Sequence, residues 1–211
     1  MKVEIVNMIA YVGYFILALN VFLFFKSYRK KTLAFKIIAF YLLYTLILEL
    51  RISYLASIKI ESLVYSHFYF IGQFVFLSFF FIEEFRNNVL TKGIKTYLIL
   101  GLIAIGIYYL LYPESFYKFN IFEILVTSIP LIVYSFIFFL KRIEGSNKTF
   151  IYLNAGLFIY VLCSTLLFVA GNLKAGIILY IWAFNVVLLM IYRLFILLEW
   201  YKNFRTPSIE K

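Results

Sequence analysis

The chain has 211 residues, of which 65% are hydrophobic and 14% charged, with a mean hydropathy of +0.97. A soluble domain carries about a quarter charged residues, so this balance excludes a water-exposed globular fold, and seven spans of about 20 residues are expected to leave no room for a soluble catalytic domain. The formal net charge of +10 comes from 20 Lys and Arg against 10 acidic residues, all Glu, but the basic residues fall between apolar runs, where topology and anionic lipid account for them and nucleic acid does not.

Seven apolar runs, each long enough for a helix to cross the hydrocarbon core, cover residues 5–25, 33–50, 63–82, 94–112, 119–140, 150–170 and 175–200. A helix satisfies its own backbone hydrogen bonds in lipid, whereas barrel strands require an alternation of polarity that these continuous runs lack. In the first run the basic cluster follows the apolar stretch, so it is a retained anchor rather than a cleavable leader; Asn20 lies deep inside it. The second run ends near Glu49 and Arg51, which stand about 200° apart on a helix and cannot both face inward. The third holds His67 and Gln73, with Ser66 on the Gln73 face, and ends at Glu83, Glu84 and Arg86, a solvated boundary.

The fifth run places Glu123, Thr127, Pro130 and Tyr134 on one helical stripe, and Pro130 frees a backbone carbonyl beside it. Between the fifth and sixth runs Asn147-Lys148-Thr149 matches a glycosylation acceptor, which the charge distribution puts on the inner face and which is therefore a chance match. The sixth run contains Asn154 and Cys163, the only cysteine, which excludes an intramolecular disulfide and reads as a packing residue. The seventh contains Asn185 and Arg193, the latter close enough to the end to snorkel, and closes on Trp200 as an interfacial anchor. A short basic tail, residues 202–211 with Pro207, follows.

Fourteen of the Lys and Arg residues fall in the first, third and fifth connections and the tail, against five on the opposite side. The positive-inside rule then predicts an all-α polytopic membrane protein, a single domain over residues 1–201 built as a seven-helix bundle, with the N-terminus outside, the C-terminus inside and the tail in the cytoplasm.

Polar groups inside lipid are expensive and are the first functional candidates. Glu49, Arg51, His67, Gln73, Glu123 and Thr127 fall in the outer halves or middle of their spans and define a candidate site for a small polar ligand or a proton. Alternatively Glu49, Arg51 and Glu123 reach the outer interface while His67 and Gln73 bond neighbouring helices. Asn20, Asn154 and Asn185 read as interhelical contacts or as the lining of a transport path. One histidine, one cysteine and no aspartate rule out a Ser-His-Asp triad and leave too few ligands for a typical zinc site, so no catalytic residue, metal or cofactor is expected.

Phe122-Glu123-Ile124, Tyr134-Ser135-Phe136, the run Tyr152-Leu153-Asn154-Ala155-Gly156-Leu157-Phe158-Ile159-Tyr160, Leu167-Phe168 and Gly171-Asn172 carry a resemblance. From Glu123 to Tyr192 the chain resembles an uncharacterised family of small seven-span membrane domains of Bacteroidota, found alone or in front of sensor histidine kinases. The resemblance implies a sensory or signal-input module of a bacterial inner membrane, without a catalytic domain of its own, that signals through a separate protein at its cytoplasmic loops. A small transporter or channel and a structural accessory subunit are the alternatives.

Overall fold

The computed structural model describes residues 3–173 and 178–205. The seven expected spans are α-helices: α1 Val3–Lys26, α2 Leu33–Ser57, α3 Val64–Phe85, α4 Asn88–Leu111, α5 Ile121–Glu144, α6 Ile151–Leu173 and α7 Ile178–Glu199, the last continued by a π-helical turn, Trp200–Phe204. All seven are long and apolar enough to cross a membrane, and among the described residues there is no strand. The start of the seventh run at residues 175–177, Lys174, and the tail from residue 206 with Pro207 lie outside the described residues.

Two helices overrun their apolar stretches the most. α2 continues to Ser57 instead of stopping near residue 50, so Glu49 and Arg51 lie within the helix rather than at its end. α4 begins at Asn88 rather than residue 94 because the Asn87 side chain accepts from Val89 and Leu90 N–H at 3.0 and 3.1 Å, capping a polar first turn. An apolar run ends where polar residues gather; a helix ends where its backbone groups find other partners.

The chain divides into two compact units, a central one of Thr32–Leu131 and a terminal one of Met1–Lys31 with Ile132–Lys211. In the central unit α2 and α3 are antiparallel, as their side-chain pairs show: Gln73 Nε2 donates to the Tyr41 hydroxyl at 3.0 Å, the Tyr44 hydroxyl to the Phe68 carbonyl at 2.6 Å, and Arg51 Nε to the Tyr65 hydroxyl at 3.4 Å. The Tyr44 ring reaches α3 because Gly72 has no side chain; a Cβ there would lie 2.1 Å from Tyr44 Cε1. Gly72→Ala is expected to force that ring out and cost about 1–3 kcal/mol, read as a lower midpoint in denaturant-induced unfolding in detergent.

Pro130 sits inside α5, and lacking an N–H it leaves the Val126 carbonyl without its helical donor. The Tyr97 hydroxyl of α4 supplies one at 3.4 Å. Tyr97→Phe is therefore expected to destabilise by about 1 kcal/mol, and to cost nothing measurable when Pro130→Ala has restored the intrahelical bond; a double-mutant cycle checks this.

In the terminal unit α7 packs on both α1 and α6. Asn20 Nδ2 donates to the Arg193 carbonyl at 2.9 Å, while Asn154 and Ser135 bond reciprocally, Ser135 Oγ donating to Asn154 Oδ1 at 2.8 Å and Asn154 Nδ2 to the Ser135 carbonyl at 3.0 Å. No hydrogen-bond partner is present for Asn185 Oδ1 among the described residues. Arg193 does not snorkel: it is 3% exposed, and its Nη1 lies 2.7 Å from where a Cβ of Gly13 would be, so the bare glycine seats the guanidinium. Gly156 likewise brings α6 against Phe195, and Tyr160 stacks on Tyr192 with ring centroids 5.5 Å apart.

Candidate functional site

The first turn of α5 carries the main polar site of the central unit. Asn120 precedes the helix and accepts from the Glu123 N–H at 3.3 Å, an N-terminal cap that sets Glu123 in a turn whose free N–H groups favour negative charge. Glu123 is 0% and His67 2% exposed, and His67 Nδ1 lies 2.5 Å from Glu123 Oε2. The Tyr109 hydroxyl of α4 donates to the same Oε2 and lies 2.9 Å from Nδ1. The other ring nitrogen, Nε2, is 3.0 Å from the carbonyl of Phe116, which belongs to a 3₁₀ turn, Pro113–Tyr117, between α4 and α5. One imidazole thus ties together α3, α4, α5 and the turn that joins the last two.

Aromatic rings wall the cluster. Phe116 stacks on His67 at 5.2 Å and 24°, and stands edge-on to Tyr109 at 5.2 Å and 87°. Glu123 Oε1 is buried without a hydrogen-bond partner among the described residues. A carboxylate oxygen kept from water and unpaired is costly, so the site retains unspent acceptor capacity.

Of the candidate residues, the structure brings His67 and Glu123 into direct contact. Glu49 is buried and Arg51 exposed, as their angular separation demands. Because Tyr44 meets Phe68 and Arg51 meets Tyr65, Glu49 stands on α2 at the level of His67. Arg51 itself engages Tyr65, with Cζ 5.8 Å from the ring centroid. Gln73 is spent on Tyr41, deeper in the unit. Thr127 shares the buried stripe with Glu123, but its hydroxyl bonds back to the Glu123 and Ile124 carbonyls at 2.9 and 3.2 Å, which satisfies it within its own helix.

Two participants escaped the sequence reading. Nothing distinguishes Tyr109 among 19 tyrosines, since its role depends on a tertiary neighbour. Asn120 did carry a signal, the Asn-x-x-Glu spacing ahead of an apolar run that marks a helix start.

A second buried acid was also missed, in the terminal unit. Glu199 is 0% exposed, and its carboxylate accepts from the N–H groups of Phe150, Tyr152 and Leu153 at 2.6, 3.0 and 3.3 Å and from Asn203 Nδ2 at 2.6 Å. It caps the start of α6 from a distance, completing a helix end that Phe150, at φ 66°, turns into with a left-handed backbone. Around it Trp200 Nε1 donates to Ser27 Oγ at 3.2 Å, and Phe204 meets Phe150 and Phe24, with Lys31 Nζ 5.3 Å from its ring centroid. Lys148 Nζ caps the end of α5 by donating to the Arg142 and Ile143 carbonyls at 2.7 and 3.2 Å.

Seven helices of this length and apolarity make the chain an integral, multi-pass membrane protein in contact with lipid. No protein-family model, no curated protein and no solved structure matches it.

Proposed function

We propose that this protein is a receptor-like sensory or accessory signalling module of a bacterial inner membrane. It takes its input at the His67–Glu123–Tyr109 cluster and relays it to a separate signalling protein at the basic loops. One observation carries the reading: three ionisable side chains from three helices are joined, two of them buried, in segments where lipid makes such groups expensive and function is the usual reason to keep them. The Lys and Arg asymmetry supports an outward-facing N-terminus, which puts the Pro113–Tyr117 turn on the outer side and the loops after α1 and α5 on the inner side.

The test uses the full chain in liposomes. Hydrogen exchange in the inner loops after α1, α3 and α5 is followed while a panel of small polar metabolites, and the outside pH through the range in which histidine titrates, is varied. A change in those loops that His67→Gln and Glu123→Gln abolish supports sensing. Specific flux of a panel member across the bilayer overturns it in favour of transport, and loops indifferent to every condition overturn it as well.

A further inference from the structure

The hydrogen bonds of the cluster fix where its protons lie. The Phe116 carbonyl only accepts, so His67 Nε2 carries a hydrogen; the Tyr109 hydroxyl gives its own to Glu123 Oε2. At 2.5 Å, Nδ1 and Oε2 cannot face each other with bare lone pairs, so one further proton lies between them. Imidazolium with carboxylate and neutral imidazole with carboxylic acid are the two ways to write this, with the same proton count and no net charge.

We propose that the His67–Glu123 pair is a binding site for one exchangeable proton, and that its occupancy fastens the Pro113–Tyr117 turn over the end of the central unit. This rests on the cluster being the point of input. With the proton bound, Nε2–H holds the Phe116 carbonyl and the ring stacks on His67. When the imidazolium gives up a proton to water, one ring hydrogen remains for two acceptors. A hydrogen bond to a carboxylate is roughly twice as strong as one to a neutral carbonyl, so the hydrogen stays at Nδ1 on Glu123. Nε2 then turns a lone pair on the Phe116 carbonyl, and attraction becomes repulsion. The proton departs from the Nε2 side, where the turn is partly exposed, and the pair goes from neutral to singly negative. Tyr109 of α4, with the Asn120 amide beside it, Glu49 of α2 at the same level, the Arg51–Tyr65 pair, and the exposed Glu114–Lys118 pair of the turn and its flank are the ionisable and polar groups around this end.

His67 is the only histidine, so ring-¹⁵N labelling of the full chain in nanodiscs gives a single imidazole. As pH rises, the ring is expected to pass from two N–H groups to the Nδ1–H tautomer, and protection factors of the 113–117 amides to fall at least tenfold with the same midpoint. In Glu123→Gln the neutral ring keeps its hydrogen on Nε2 and the turn stays protected. Tyr109→Phe, which leaves the His67 bonds to Glu123 and to the Phe116 carbonyl in place, retains the coupled transition and serves if the first variant does not fold. A ring that stays Nε2–H throughout, or turn protection that ignores the state of the ring, overturns the proposal. Inner loops that respond to a metabolite while His67 is silent overturn it and leave the sensory reading standing; a coupled ring and turn with unresponsive loops does the reverse.

Discussion

Glu199→Ala is expected to destabilise the terminal unit by about 3–5 kcal/mol, because it strands buried donors that cost about 1–3 kcal/mol each when left unpaired. Two of them are the backbone N–H groups of Phe150 and Leu153, buried at the start of α6; the same carboxylate also serves the partly buried Tyr152 N–H and the amide of exposed Asn203. The negative charge also sits where the N–H groups of a helix start point, so its removal forfeits a favourable electrostatic interaction. Water replaces the lost acceptor poorly at Phe150 and Leu153, which are buried. Glu199→Gln keeps one accepting oxygen but aims an amide at donors, and falls between alanine and wild type. Asn203→Ala removes a single neutral donor and costs about 1 kcal/mol. Unfolding in mixed micelles, followed by the fluorescence of Trp182 and Trp200, ranks the three; an alanine variant within about 1 kcal/mol of wild type would show that the carboxylate does not hold α6.

The second large effect is non-additive. Glu123→Leu alone leaves His67 and Tyr109 facing a hydrocarbon side chain, and breaking one member of a buried pair costs about 3–5 kcal/mol. His67→Phe with Glu123→Leu removes the charge and its counter-charge together and fills the space with apolar atoms, which is often neutral. The double variant is therefore expected to recover most of the stability lost in the single one, while any response routed through the cluster stays absent. A double variant as unstable as Glu123→Leu would mean that packing, not pairing, is what Glu123 supplies.

The seven helices are legible in the sequence because length and continuous apolarity suffice to specify a lipid-crossing segment. Their ends are less so: charges at 51 and 92 stop an apolar count but not a helix, and the true ends of α2 and α4 depend on capping. His67 and Glu123 stand out from the cost of polarity in lipid, yet that cost does not say who pairs with whom. The same reasoning flagged Thr127, whose needs its own helix meets, and Gln73, which Tyr41 satisfies. Tyr109 and Glu199 were passed over for opposite reasons. A tyrosine in a tyrosine-rich chain looks ordinary, and a glutamate beside Trp200 looks interfacial, although Asn203 one turn on completes a polar pair. Arg193 looked able to reach the interface, and only the tertiary position of Gly13 explains why it stays inside.

The terminal unit also carries a consequence for biogenesis. Asn20 and the Arg193 carbonyl that it binds are separated by 173 positions, and α1 finds its main partner in α7. During synthesis the first helix enters the bilayer long before the seventh leaves the ribosome, so its carboxamide waits there unmatched while α2 to α6 are threaded in. Assembly of this unit is thus vectorially late although it begins first, and the insertion machinery or lipid must shelter Asn20 until α7 arrives.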